Sequence, residues 1–380
     1  MHWRMVTTKR LGRSGPALLI LAFALVGYRA CLTGGEVLYS THSDFIAEQL
    51  GTKAILWDSL VRAGDFPFWR SDQFSGYPAL TNPQSLFTSP LHLPFLLLPP
   101  LRALGFTLML HFLAAAAGFY LLGAVLELGR PARLFMALAG MFNFKLILTV
   151  YAGWLSYLGG IVLTPLLFAA FLHLARRPSL PRLLGLAAAG ALCLHTGHLQ
   201  HAYYGCLFLA AFLLVRTAAT LGRGRARETA GLWVGAAGAA LLGSGLTAYL
   251  LVPLAGEAAL VSRGESSYGF FLAGHALAPA DFLTFLHPEA LGTCLDGSYP
   301  GPEMWERVGY FGALPLALAP AGMILGRRRR HVPFFTGAFT ASLLLTLDTP
   351  LLRLLYDHLP GFGLFRCPGR FLFPAAFFGA

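Results

Sequence analysis

Long runs of apolar residues recur from Pro16 to the end of the chain, and short basic clusters separate many of them. A helix of about 20 apolar residues crosses the hydrocarbon core of a bilayer. The pattern therefore predicts an all-α polytopic membrane protein with about ten transmembrane helices, the last one incomplete. The predicted spans are 16–34, 104–127, 133–150, 157–175, 183–197, 199–215, 229–252, 308–326 and 332–347, with a tenth beginning near 371.

The two ends of the chain refine this picture. The first run is followed by Tyr28-Arg29-Ala30-Cys31, which lacks an A-x-A-like cleavage site. This favours a retained anchor over a cleaved signal peptide. The last run, 371–380, is too short to cross a bilayer, which favours either an N-terminal portion of a longer protein or a truncated gene product. We treat 1–380 as a single transmembrane domain.

Composition excludes a soluble protein. The chain is 56% hydrophobic and 12% charged, whereas a soluble chain carries roughly 25% charged residues. The net charge of +11 does not indicate nucleic-acid binding, because the basic residues mark predicted cytoplasmic loops, including the N-terminus. The basic clusters are Arg4/Lys9/Arg10/Arg13, Arg130/Arg133, Arg176/Arg177/Arg182, Arg216/Arg223/Arg225/Arg227 and Arg327–Arg330.

Under this map the acidic residues lie mostly in two long extracytoplasmic loops, 35–103 and 253–307, which predicts chemistry on that side. Residues 46–62 predict an amphipathic helix on the membrane surface. The proline-broken run 91–98 is expected at the interface or as a re-entrant segment. Asp44 follows the first span closely, near the headgroup plane. It can take a proton from an acceptor hydroxyl or hold a divalent cation; the plain alternative is a solvated loop carboxylate.

A set of short motifs in order along the chain resembles bacterial YfhO-like membrane proteins, within the GT-C group of polytopic glycosyltransferases. The motifs are Asp44, Gly64/Pro67/Trp69, Gly76/Pro78, Asn82, Pro90, Gly197-His198-Leu199-Gln200, Glu306-Arg307-Val308-Gly309-Tyr310-Phe311-Gly312 and Phe365-Arg366-Cys367-Pro368-Gly369-Arg370-Phe371.

The resemblance implies a GT-C-like fold in the bacterial cytoplasmic membrane and sugar transfer outside the cytoplasm. The donor would be a polyprenyl-phosphate-linked sugar, and the acceptor a cell-surface glycan, polymer or lipid. The matching catalytic residue is Asp44, as general base or as ligand of Mg²⁺ or Mn²⁺. Many GT-C enzymes carry two neighbouring acidic residues, whereas Ser43 and Phe45 flank Asp44.

Other candidates combine chemistry with the resemblance, and each keeps a structural alternative. Arg366 and Arg370 are suited to the donor phosphate, or to contact with anionic lipid. His198 and Gln200 form either a substrate-facing wall or a polar cap on a short hairpin. Glu306 is either a substrate-binding residue or a partner of a helix dipole. The remaining predicted substrate-binding residues are Trp69 and Asn82.

Further residues carry weaker expectations. Lys145 is predicted inside the third span, where a charge is costly and often functional. Trp154 and Tyr157 fit an aromatic belt. Cys294 and Cys367 lie in different outer segments and could pair in an oxidising compartment. Gly- and Ala-rich stretches at 185–191 and 235–248 fit close helix packing.

Two other function classes remain open. A lipid-linked glycan transporter or flippase would also be polytopic, but should show internal repeats and several intramembrane charges. A non-catalytic membrane scaffold would keep the fold and tolerate loss of Asp44. The sequence does not identify the sugar, the acceptor or a metal requirement.

Overall fold

The computed structural model is an all-α assembly in which apolar helices form the bulk of the chain. Among the described residues, strands are restricted to one short antiparallel pair, β1 (Trp69–Arg70) and β2 (Tyr77–Pro78). Five described helices are long and apolar enough to cross a membrane, which supports a multi-pass membrane protein. The structure describes residues 15–32, 43–73, 75–80, 82–85, 88–257, 267–272, 275–301 and 303–379.

The helices follow the predicted apolar runs closely. Single helical turns lie at Arg29–Leu32, Pro94–Leu97, Tyr268–Leu272 and Met304–Arg307. The longer helices are α1 (Gly15–Gly27), α2 (45–63), α3 (Pro100–Val125), α4 (Arg130–Met141), α5 (Phe144–Tyr151), α6 (Leu155–Arg176), α7 (Leu180–Leu194), α8 (Leu199–Leu221), α9 (Ala226–Leu246), α10 (Ala248–Glu257), α11 (Ala313–Leu325), α12 (Val332–Leu345), α13 (Pro350–His358) and α14 (Leu372–Gly379).

Helix α3 packs against α6 at the centre of the bundle. Their backbones approach closely, since a Cβ placed on Gly118 would stand 3.0 Å from the Leu166 nitrogen. Helices α7 and α9 meet in the same way, with a Cβ on Gly243 3.0 Å from the Ala187 oxygen. Small residues thus permit tight helix contact, which confirms the packing role expected for the Gly- and Ala-rich stretches.

Local features modify the predicted spans and add one helix, while residues 130–151 still form one run long enough to cross a membrane. The third span is interrupted at Phe142 and Asn143, where the Asn143 side chain accepts the Lys145 amide at 2.9 Å and starts α5. The eighth span begins at Ala313 rather than at 308, because Gly312 has φ 123°. Helix α13 was not predicted; the Thr349 hydroxyl accepts the Leu352 amide at its start, as an N-cap does.

The two ends of the bundle differ in character. Glu127, Arg176, Arg329 and Arg330 line one cavity at the first end. At the opposite end lie the first loop, the residues around Trp154, the 303–307 turn and the 366–371 segment. We call this second region the loop end.

The amphipathic helix predicted over 46–62 is confirmed as α2, in which α-helical turns lie between wider π-helical turns.

Candidate functional site

Asp44 is held in place at the loop end by the segment that joins α5 to α6. Its backbone amide donates to the Ala152 oxygen at 2.9 Å. Its Oδ2 accepts the indole Nε1–H of Trp154 at 2.6 Å. The Asp44 side chain is exposed, so the carboxylate is both fixed in position and open to a ligand.

Gly153 makes this close approach possible. It has φ 79°, a conformation that glycine adopts readily and other residues rarely do. A Cβ at this position would stand 2.4 Å from the Phe45 nitrogen and 2.5 Å from the Ser43 Oγ. No side chain other than hydrogen therefore fits between the two segments.

Trp154 and Tyr157 connect Asp44 to a buried guanidinium. Their ring centroids are 4.5 Å apart. The Arg370 guanidinium lies 4.6 Å from the Tyr157 ring centroid and 5.8 Å from that of Trp154, within the range of cation–π attraction. The two aromatic residues, predicted as a membrane-interface belt, instead form the wall between the carboxylate and the cation.

Arg370 is paired within the protein. Its Nε and Nη2 donate to Glu306 Oε1 at 2.9 and 2.8 Å, and its Nη1 donates to Gln200 Oε1 at 2.7 Å. Glu306 and Gln200 are almost fully buried. Burial alone would lower the pKa of Arg370, but the Glu306 carboxylate raises it above its ordinary value. Arg370 is thus a permanent positive charge in a network of predicted site residues.

Backbone carbonyls hold Lys145 beneath this network. Its ammonium donates to the Trp305, Glu306 and Val308 oxygens at 2.6, 3.3 and 3.1 Å. The side chain is 1% exposed. Lys145 therefore fixes the turn that carries Glu306, a structural role that explains the charge singled out in the third span.

The predicted hairpin tip between α7 and α8 also reaches the site. His198 stacks on Tyr157 with ring centroids 3.6 Å apart. Gln200 Nε2 donates to the Tyr204 hydroxyl and to the Arg366 oxygen, both at 2.8 Å. Both side chains are buried. The tip is therefore buried within the protein, although its second arm, α8, is long enough to cross a membrane.

A second carboxylate accompanies Asp44. Glu48 lies one helical turn further along, at the start of α2. Partial burial and then the Asp44 carboxylate raise the pKa of Glu48. In the described part of the chain no group of three or more His, Cys, Asp or Glu residues could hold a metal ion. Asp44 and Glu48 are the residues that would contribute ligands to a divalent cation.

Three predicted side chains lie outside the Arg370 network. Trp69 is in β1, 59% exposed, with its ring against Gly76. Asn82 lines a separate polar cavity in the first loop. The Arg366 side chain is partly exposed, and its guanidinium lies 5.9 Å from the Phe270 ring centroid.

A second charged group lies beside the network. His275 Nε2 is 2.8 Å from Glu303 Oε2. The Cys367 sulfur and the Glu303 carboxylate raise the pKa of His275 to about 10. Cys294 and Cys367 are both free thiols, so the disulfide considered from the sequence is not formed here.

Sequence reasoning missed Glu48 and misassigned the role of Trp154 and Tyr157. The four-residue spacing of Asp44 and Glu48 on a predicted helix could have revealed the carboxylate pair. The contacts of Trp154 and Tyr157 join residues far apart in the chain, and no local pattern indicates them.

Comparison with protein-family models, curated proteins and solved structures finds no match. The class of protein supported by the fold is thus a helical membrane protein, and the likeness to YfhO-like proteins depends on the sequence motifs alone.

Proposed function

We propose that the protein is a GT-C-like glycosyltransferase of the YfhO-like group in the bacterial cytoplasmic membrane. Its N-terminus would be cytoplasmic and its loop end extracytoplasmic. It would transfer a sugar from a polyprenyl-phosphate donor to a cell-surface acceptor. The observation that carries the proposal is the fixed, exposed Asp44 carboxylate, held by Trp154 beside a network that unites Gln200, Glu306 and Arg370.

Asp44 acts as the general base. Its carboxylate accepts the proton of the acceptor hydroxyl while that oxygen forms a bond to the anomeric carbon of the donor sugar. The bond between the anomeric carbon and the phosphate oxygen breaks, and the lipid phosphate leaves with the electron pair. Direct displacement of this kind inverts the anomeric centre. General-base catalysis contributes about 10²–10⁴-fold.

The leaving phosphate needs a positive partner. The charges in this part of the loop end favour an anion. The three positive groups are Arg366, Arg370 and protonated His275. They outnumber the two carboxylates, those of Glu303 and Glu306. Arg370 already donates to Glu306 and Gln200. We therefore assign direct phosphate contact to Arg366, and to Arg370 a fixed charge at the back of the site.

Purified protein in lipid nanodiscs, supplied with a panel of polyprenyl-phosphate sugars and acceptor glycans, tests this function. Mass spectrometry follows free polyprenyl phosphate and the glycosylated acceptor. Acceptor-dependent release should occur in the wild type and fall at least about 100-fold in Asp44→Ala. Asp58→Ala is the matched control, since this exposed aspartate of the same loop pairs with the exposed Arg62.

Other outcomes separate the rival functions. Undiminished transfer in Asp44→Ala would overturn the assignment of the base. Carrier binding without turnover, together with movement of the carrier between leaflets, would replace the enzyme by a flippase. Carrier binding with neither activity would favour a scaffold.

A further inference from the structure

The first loop borders an open cavity of about 310 Å³. Its walls come from the first turns of α2, from β2, from residues 82–85 and from the end of α10. The volume lies at the lower end of the roughly 300–1,000 Å³ typical of small-molecule sites. The lining side chains include Glu48, Gln49, Thr52, Tyr77, Asn82 and Gln84.

Side-chain amides dominate the polar lining of this cavity. Gln49, Asn82 and Gln84 each offer a carbonyl acceptor and an NH₂ donor. A sugar ring presents hydroxyl groups that both donate and accept, so a side-chain amide can pair with a sugar hydroxyl in either role. The Tyr77 ring adds an apolar face for the C–H side of a sugar. This combination suits a hydroxylated ring better than an apolar ligand.

Gln49 forms a buried part of the cavity wall. Its side chain is 7% exposed, and its Oε1 is buried with no hydrogen-bond partner among the described residues. Because this oxygen is not exposed to the cavity, a ligand hydroxyl would reach it only after the side chain turned.

The walls are held rigidly around the space. The Thr52 hydroxyl donates to the Glu48 oxygen at 3.1 Å and accepts from Arg70. The Arg70 guanidinium lies 5.6 Å from the Tyr77 ring centroid, which fixes that ring. Asn82 Oδ1 accepts a hydrogen bond from the Gln84 backbone N–H at 3.0 Å. Such preorganisation reduces the entropic cost of binding.

The charge of the lining indicates which substrate enters. Glu48 and Glu257 contribute carboxylates, and no lysine or arginine is among the described lining residues. The Arg70 guanidinium behind Thr52 is paired with Asp72, so the two lining carboxylates would repel a phosphate or a uronic acid but not a neutral sugar. The lipid-phosphate donor is therefore suited to the Arg366 side, and the acceptor to this cavity.

We propose that this cavity is the acceptor subsite and binds a neutral sugar ring of the acceptor glycan. Glu48 lines it and lies one helical turn from Asp44, which places the cavity next to the residue proposed as the base. The identification of the bound sugar as the acceptor depends on the proposed function. Saccharide binding itself can be measured without turnover.

Saturation-transfer-difference NMR on the purified chain in nanodiscs tests the binding step. The probes are neutral disaccharides of glucose, galactose, mannose and N-acetylglucosamine, compared with glucuronic acid and glucose-1-phosphate. At least one neutral disaccharide should bind in the millimolar range, and the two anionic probes should give weaker signals. Gln49→Leu should weaken binding roughly tenfold, with Asp58→Ala as the unaffected control.

A second cavity variant keeps the test valid if the first variant misfolds. If Gln49→Leu does not fold, Asn82→Leu carries the same expectation, because Asn82 lies nearer the surface. Equal binding by wild type and a folded cavity variant would overturn the proposal.

The two proposals fail in different ways. If no neutral disaccharide binds at tens of millimolar while Asp44-dependent transfer persists, the subsite is wrong and the enzyme stands. If disaccharides bind through Gln49 but no donor is ever consumed, the cavity is a saccharide site and the proposed transfer reaction is wrong.

Discussion

The Asp44 carboxylate and the Trp154 indole are joined by a 2.6 Å hydrogen bond that spans 110 residues of sequence. A hydrogen bond to an ionised acceptor is stronger than one between neutral groups. Here it fixes an exposed carboxylate that a flexible loop would otherwise leave in several orientations. Trp154 is thus a positioning residue for the proposed base.

Trp154→Phe should keep the ring contacts and remove only the donor. We expect kcat for sugar transfer to fall about tenfold, because the base is no longer oriented, while the acceptor KM stays unchanged. Steady-state kinetics in nanodiscs measures both. Trp233→Phe is a matched control, since the exposed Trp233 indole also donates to a side chain, Thr217 Oγ1 at 2.9 Å. A fall in both variants would argue against a specific role.

Gly153→Ala should separate the segment that carries Asp44 from the one that carries Trp154. The added methyl group has no space, and the positive φ adds strain of about 1–3 kcal/mol. Transfer should be lost while the helices remain folded by circular dichroism. Gly190→Ala is the control, because a Cβ there meets nothing within 4 Å. Retained transfer in Gly153→Ala would contradict the close approach described here.

Glu306→Leu should destabilise the protein by about 3–5 kcal/mol, because Arg370 would be left as an uncompensated buried charge. Adding Arg370→Met should recover much of that loss. Denaturant titration of the two single variants and the double variant measures the coupling. Asp58→Ala, which breaks an exposed pair with Arg62, should cost less than about 1 kcal/mol. Additive effects of the Glu306 and Arg370 changes would exclude the buried pair.

The His275–Glu303 contact predicts a pH dependence of stability. The pKa of His275 is raised from 6.5 to about 10 by Cys367 and Glu303, so folding favours the protonated ring. The stabilisation is fully present below pH 6.5 and is lost as pH rises to about 10. The difference in Tm between wild type and His275→Gln should therefore shrink over this interval. His358→Gln, at an exposed position, should show no such trend.

Hydrophobic pattern was sufficient to place most of the helices, because burial in a bilayer requires apolar runs of a set length. It did not place the break at Asn143, where one side chain competes for a backbone amide. It also missed α13, whose amphipathic pattern lies in a polar segment. Side-chain capping at the helix starts determines both features, and a hydropathy pattern does not detect capping.

The candidate site was predictable only in part. Motif residues identified Asp44, Gln200, Glu306 and Arg370, which the fold brings to one end of the bundle. Their partners were not predictable, since Trp154 is separated from Asp44 by more than a hundred residues and pattern analysis cannot see such contacts. Nor was the pairing of Arg370 with Glu306 and Gln200 predictable, and it leaves Arg366 as the residue proposed to contact the donor phosphate.

The long sequence separation of the network has a consequence for biosynthesis. Gln200 and Arg370 are 170 residues apart, and synthesis at about 5–20 residues per second needs roughly 10–30 s to cover that distance. During this interval Gln200 has been made, but its cationic partner Arg370 has not yet been synthesised. The helices can insert one by one, but the loop end closes only when the 366–371 segment emerges.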